Sequence, residues 1–286
     1  MYWANSRNGQ LFQDGTSIHT YIMEAFMQAG APAEEMDRMK LWLLKQKQTQ
    51  LWESTPASVN SIAVLLGTGS DWLQSEGSAE LQLGHAYSIN TQQADAGTGY
   101  VKESLLGNMI IPDMGKVLLS KTDAGPAWGA VYWQYFEEMD KVVAAQTGLQ
   151  VRKSLFIEQN TPKSPMLVPV SPQTPIRVGD KVIVRLTVRT DRDLEYVMLK
   201  DHRAACFEPV DQLSGIQWRN TLLYYQSNKD VSSNFYFYRM PRGTYVFEYA
   251  IYAARAGEYS NGMANIQCMY APEFTSQSAG SRITVE

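Results

Sequence analysis

The sequence predicts a mixed, mainly β chain in which an N-terminal helical segment is followed by antiparallel β-sandwich domains. Three observations carry that expectation. From about residue 17 to about residue 67 apolar residues recur with the helical period of roughly 3.6. After about residue 78 they recur in short runs separated by glycine clusters. From Lys181 to Arg189 they alternate strictly, with Val182, Val184, Leu186 and Val188 on one face and Lys181, Arg185, Thr187 and Arg189 on the other. Period-two alternation marks a half-buried strand.

A chain of 286 residues accommodates two or three domains, and 44% hydrophobic with 19% charged residues is globular composition. The net charge of −4 and the lack of a dense lysine or arginine cluster exclude nucleic acid as a partner. No apolar run reaches the ~18 residues of a membrane span, and Met1-Tyr2-Trp3-Ala4-Asn5 has none of the regions of a signal peptide.

The elements follow in order. Met1 to Thr16 reads as an irregular lead with turn dipeptides at Asn8-Gly9 and Asp14-Gly15. Ile18, Tyr21, Ile22, Ala25, Phe26 and Ala29 then form one helical stripe ending near Gly30. Pro32 suits the first position of a second helix, with Glu34, Glu35 and Asp37 at its positive end and Lys45 and Lys47 at its negative end. Its stripe is Met36, Met39, Leu43 and Leu44. Thr55-Pro56 opens a third helix carrying Val59, Ile62, Ala63 and Leu66, and Gly67 ends it.

Short strands are expected at Ala79–Leu83, His85–Ile89, Gly99–Leu106, Lys116–Ser120 and Trp128–Phe136, with glycine turns at Gly97 and Gly125 among others. A short helix is expected from Glu137 to Ala145, and the last domain boundary falls at Leu149. Prolines at 162, 165, 169, 172 and 175 mark loop or edge strand. After the strand at Lys181, the polar cluster Thr190-Asp191-Arg192-Asp193 turns into a second strand from Leu194 to Leu199. Further strands are read at Gly215–Gln226, Asn234–Tyr238, Tyr245–Ala254, Met263–Tyr270 and Arg282–Glu286, with Met240-Pro241-Arg242-Gly243 as a turn, for seven or eight strands in this part. Tyr245, Phe247, Tyr249 and Ile251 face one way and Val246, Ala250 and Tyr252 the other, which reads as a central strand covered on both sides.

No set of acid, base, nucleophile and metal ligands declares itself, so the chain is read as a non-enzyme that needs no cofactor. His202 and Cys206 suggest a thiol protease pair, but an apolar packed cysteine is the better reading. Asp191-Arg192-Asp193 suits a solvated turn better than calcium, since the intervening arginine opposes a cation. Cys206 and Cys268, with His19, His85 and His202 scattered, read as two buried free thiols rather than a metal site; a disulfide between them is the alternative.

Several passages also resemble one family. His202-Arg203-Ala204-Ala205-Cys206-Phe207-Glu208-Pro209-Val210 is similar to the Pro-Ala-Gly-Phe-Glu-Pro-Val passage in the last sandwich domain of bacterial alpha-2-macroglobulin-like proteins, with His-Arg-Ala-Ala-Cys where the commoner form has Leu-Pro-Ala-Gly. Gly243-Thr244-Tyr245, Gly257-Glu258-Tyr259 and Met269-Tyr270-Ala271-Pro272-Glu273 follow in the order and spacing of that domain. Met39 to Lys47, then Leu51-Trp52-Glu53-Ser54-Thr55, resembles the closing helices of the family's thioester domain, the end of an alpha/alpha toroid. The resemblance is strongest over Val178–Glu286, moderate over Pro32–Leu66 and weak between Glu76 and Phe136.

The resemblance implies three parts: residues 1–75 as the end of the thioester domain, 76–148 as a partial CUB-like β domain and 149–286 as the final macroglobulin-type sandwich. It implies a C-terminal piece of a broad-spectrum protease trap, periplasmic or associated with the outer membrane and used in bacterial defence, with Met1 an artificial or internal start. The partners implied are proteases, met through the full-length parent, and the rest of the parent chain. It also implies that Met269 and Tyr270 form a latch shielding the thioester, although Tyr270 read alone could simply end a strand and pack locally. The reactive Cys-x-x-Gln is not in this chain, because Pro209 follows Cys206 by three and Ala271 follows Cys268 by three. The rival is a carbohydrate- or surface-binding module, for which exposed Trp128, Trp133, Trp218, Tyr224 and Tyr225 would be the platform. A helix-plus-sandwich hydrolase is a third reading.

Overall fold

The computed structural model describes residues 15–72, 79–89, 94–95, 99–122, 127, 129–219 and 221–286. Among these, the chain divides into two compact units, one formed up to Leu44 and from Trp52 to Ala130, the other from Lys45 to Leu51 and from Val131 to Glu286. The predicted turn at Asn8-Gly9, the glycines 97 and 125 and Trp128 lie outside the described residues.

The first unit begins with the predicted helices, α1 (Gly15–Gln28), α2 (Ala33–Thr49) and α3 (Thr55–Gly67). Gly30 takes a φ of 75° between the first two, a left-handed step that a side chain would resist. α3 is capped one residue earlier than expected, the Ser54 hydroxyl accepting from the Ala57 amide at 3.2 Å. Met23, Met36, Met39, Leu43 and Val64 form the core, with Ile22, Phe26, Trp42 and Leu65 packed around it. α2 therefore buries its predicted stripe apart from the half-buried Leu44.

Two stripes are corrected. α1 buries Thr16, His19, Thr20 and Met23, whereas Tyr21, Ala25 and Ala29 are exposed. α3 buries Ala57, Ser61 and Val64, whereas Val59, Ile62, Ala63 and Leu66 are exposed. Each helix has turned by about one residue, roughly 100°. In α1 two of the buried polar groups are bonded, Thr20 Oγ1 donating to Ser17 O at 2.8 Å and His19 Nε2 lying 3.2 Å from Met39 O, whereas His19 Nδ1 and the Ser61 hydroxyl of α3 are buried without a partner.

Past the helices, β1 (Ala79–Leu83), β2 (Tyr87–Ile89) and β3 (Val117–Lys121) pair antiparallel in the order β2-β1-β3. The strands expected at Gly99–Leu106 and, for the described residues, at 129–136 are instead irregular chain, and the helix expected at Glu137–Ala145 is a turn at 139–141 and an isolated bridge at Ala145. Alternating or aromatic side chains make a strand only when a neighbour completes its ladder, and none of the described ladders includes these segments.

The second unit is a two-layer antiparallel sandwich. One sheet runs β5 (Pro165–Pro169), β4 (Leu149–Asn160), β6 (Lys181–Thr190), β12 (Gly243–Ala253), β8 (Phe207–Pro209). The other runs β15 (Ala271–Gln277), β14 (Ala264–Cys268), β7 (Leu194–His202), β11 (Ser232–Met240), β10 (Leu222–Lys229), β9 (Gly215–Arg219). β13 (Gly257–Asn261) and β16 (Ser281–Val285) form a separate pair. The count exceeds the expected seven or eight because the run at Gly215–Gln226 splits into a hairpin, β9 and β10, and because β8, β13 and β15 form where no strand is expected from the sequence.

The strand at Lys181 behaves as its alternation requires, with Val182, Val184, Leu186 and Val188 all buried. The proline-rich stretch supplies edge strand β5, where a missing N–H costs nothing. β12 is central but covered on one side only: Phe247, Tyr249 and Ile251 are buried, while Val246 and Tyr252 stay exposed because a two-layer sandwich leaves its outer faces open.

Candidate functional site

Met269 and Tyr270 are the whole loop of the hairpin between β14 and β15, whose flanking residues Cys268 and Ala271 pair and are buried. Tyr270 is 80% exposed, so it does not pack as a local core aromatic, and Met269 is exposed beside it. The Met269 amide donates to Tyr196 O at 2.9 Å. The Tyr196 ring meets Tyr270 edge-on, centroids 5.0 Å apart at 90°, and meets Tyr238 in the same way at 5.2 Å and 82°.

Local backbone geometry creates this tyrosine group. In β7 the inward residues are Leu194, Val197 and Leu199, so two residues, Glu195 and Tyr196, face away from the core in succession. Its partner β11 does the same between Phe237 and Met240, leaving Tyr238 and Arg239 outward at the same level. Tyr196 accommodates the slip with a φ of 53°. Nothing in its sequence context marks Tyr196, since left-handed backbone is unusual for a bulky residue and is set by the neighbours.

The outer face of this sheet continues the apolar surface. Trp218 on β9 pairs with Leu223 on β10, and Ile216 pairs with Tyr225, which in turn pairs with Tyr236 on β11; all are exposed. Of the residues expected as an aromatic platform, Trp133, Trp218 and Tyr225 are exposed, whereas Tyr224 points inward and packs against Phe237 and Phe247.

A second polar group crosses the core. Lys153 and Asp201 occupy inward positions of facing strands, in the series Leu149, Val151, Lys153 and Val197, Leu199, Asp201. Lys153 Nζ lies 2.7 Å from Asp201 Oδ1 and donates to His202 O at 2.6 Å and Gly262 O at 2.9 Å. The Tyr249 hydroxyl donates to Asp201 Oδ2. Arg203 donates to Ser233 Oγ at 2.8 Å and to the Lys229 and Asp230 carbonyls. Burial pushes the Asp201 carboxyl above its ordinary value, with Lys153 and Tyr249 opposing. A charge at an inward position of an alternating run is the sequence signal that pointed here and was missed.

The residues read for chemistry do not assemble into a reactive centre. Burial raises the Cys206 thiol and lowers His202, the reverse of a thiolate beside an imidazolium. Cys268 is pushed up to about 11, first by burial and then by Glu273. Both cysteines are buried and free, the reading favoured over a disulfide. Asp191 pairs with Arg192, whose guanidinium also covers the Phe274 ring at 4.8 Å. Among the described residues, no group of three or more His, Cys, Asp or Glu is placed to hold a metal ion, and no helix is long and apolar enough to cross a membrane.

Two antiparallel sheets with a core between them define a β-sandwich domain that ends in an exposed aromatic hairpin tip. Residues 148–273 match the family described as bacterial alpha-2-macroglobulin MG10 domain, so the chain carries a domain of the bacterial alpha-2-macroglobulin family. Among curated proteins it is similar to circularly permutated Ras protein 2 of Dictyostelium discoideum, 30% identical over 110 residues, which is 38% of this chain and 3% of that protein. Among solved structures it is similar to Escherichia coli alpha-2-macroglobulin activated by porcine elastase, with a TM-score of 0.45 and 14% identity, covering 96% of this chain and 24% of that one. It is also similar to Salmonella alpha-2-macroglobulin reacted with methylamine, with a TM-score of 0.40 and 15% identity, covering 98% of this chain and 18% of that one. The chain thus spans a quarter or less of these solved relatives.

Proposed function

We propose that this chain is the C-terminal piece of a bacterial alpha-2-macroglobulin-like protease trap and supplies framework and latch. The reading divides it into the end of a thioester domain at 1–75, a partial CUB-like β domain at 76–148 and the final sandwich at 149–286. It places the parent in the periplasm or at the outer membrane, acting in defence against foreign proteases.

One observation carries the latch: Tyr270 stands 80% exposed at a two-residue tip between buried neighbours. An aromatic held out of its own core is suited to cover another surface, and a strained acyl-sulfur bond survives only where water is excluded. Exposed Tyr21, Val59, Ile62 and Leu66 support the helical part of the reading, since three helices cannot close a toroid and their outward apolar side chains need further helices. Proteases would be met through the parent, because neither cysteine here can form the thioester.

The test uses a full-length parent that carries a thioester. Tyr270→Ala should speed loss of the thioester to methylamine without unfolding the final domain; an unchanged rate would leave the framework role alone.

A second reading, a carbohydrate- or surface-binding module, is favoured by one feature, the outer-face row of Ile216, Trp218, Leu223 and Tyr225. It calls for tryptophan fluorescence quenching by soluble glycans in the native chain and none in Trp218→Ala. No response to any glycan would remove it.

A further inference from the structure

We infer that Tyr196 is the positioning residue that holds the Met269–Tyr270 tip in its outward pose. Two-residue hairpin loops are ordinarily held by their own backbone, through positive φ values taken by Gly, Asn or Asp. This loop has no such residue, and neither Met269 nor Tyr270 has a positive φ. The pairing also slips between Gln267 and Cys268, so the ladder just before the tip is irregular. Local turn chemistry therefore leaves the tip underdetermined, and a contact from outside the hairpin has to supply the restraint.

Tyr196 supplies it twice. Its carbonyl accepts from the Met269 amide at 2.9 Å, and its ring takes the Tyr270 ring edge-on at 5.0 Å. Tyr238 braces the other side of the Tyr196 ring at 5.2 Å. The left-handed φ of 53° turns Tyr196 outward next to Glu195, at the level where β7 and β11 slip together. Glycine would take that backbone more readily, yet a tyrosine stands there and its ring makes both aromatic contacts.

The inference deepens the latch reading and rests on it for its functional consequence, so its test has two arms. The first uses the 286-residue chain with ring-labelled tyrosine and reads the Tyr270 ring by NMR. Tyr196→Gly keeps the carbonyl and suits the backbone; Tyr196→Asn, which also tolerates left-handed geometry, guards against a folding defect specific to glycine. Both should release the Tyr270 ring from its ring-current shifts and raise its ps–ns mobility, while β6 and β12 amides keep their shifts. Tyr196→Phe should retain the native Tyr270 signal. A Tyr270 ring with native shifts and relaxation in both Tyr196→Gly and Tyr196→Asn overturns the inference.

The second arm measures methylamine loss in a thioester-bearing parent. Tyr196→Gly should raise the rate about two- to twelvefold, the population span of one edge-to-face pair, and add nothing on top of Tyr270→Ala. If Tyr270→Ala itself leaves the rate unchanged, the latch reading fails while the NMR arm still decides the positioning role.

Discussion

Replacing Lys153 by methionine removes three donors at once from the middle of the sandwich. The ammonium joins β4 to the other sheet through Asp201 Oδ1 and the His202 and Gly262 carbonyls, and its side chain is 5% exposed while that of Asp201 is 0%. Methionine fills similar space, so the loss is electrostatic rather than a cavity. Removing one partner of a buried pair typically costs about 3–5 kcal/mol, and with Tyr249 still donating to Oδ2 the lower half of that range applies at neutral pH. The penalty should depend on pH. Without Lys153, the Asp201 carboxyl rises further above the roughly 3.9 it has when unfolded. A group whose folded pKa is raised contributes fully below the unfolded value and loses that contribution as pH climbs toward the folded value. Lys153→Met should therefore be mild near pH 4 and severe near pH 8, and the double variant Lys153→Met/Asp201→Leu should recover most of the loss. Urea unfolding of the single and double variants across that range is the assay. A Lys153→Met cost under about 1 kcal/mol at pH 8, or one equal at both ends of the range, would refute the reasoning.

Other outcomes are expected. Phe247, packed against Tyr224, Phe235 and Phe237, should cost about 3–5 kcal/mol on truncation to alanine, whereas exposed Trp218→Ala should fall within about ±0.5 kcal/mol in the same urea titration. Cys206 and Cys268 should resist iodoacetamide in the native protein at pH 8 and both label in guanidinium, as mass spectrometry would show. Ser54→Ala should lower stability by about 1 kcal/mol through the cap of α3, read by thermal unfolding.

The sequence alone determined features governed by nearby residues. The alternation from Lys181 to Arg189 is that of β6, the end of α1, the start of α2 and both ends of α3 fall where proline and glycine break the period, and the prolines after 160 mark an edge strand. The Met269–Tyr270 pair is singled out only through the resemblance its surrounding sequence bears to a known family. Tertiary structure decided what depends on partners distant along the chain. α1 and α3 leave Tyr21, Ala25, Ala29, Val59, Ile62 and Leu66 exposed while Ile22 and Phe26 pack beside the core, because burial answers to the neighbouring helices and not to the stripe itself. The runs at 99–106 and 129–136 stayed irregular for want of a ladder, and Val246 and Tyr252 stayed exposed because no third layer covers β12. Lys153 and Asp201 meet across 48 residues of chain, and Tyr196 takes a left-handed backbone only because β7 and β11 slip together. The period-two pattern marks Lys153 and Asp201 as inward charges, but which group each meets across the sheets, and how neighbouring strands within a sheet slip, are fixed by contacts distant along the chain.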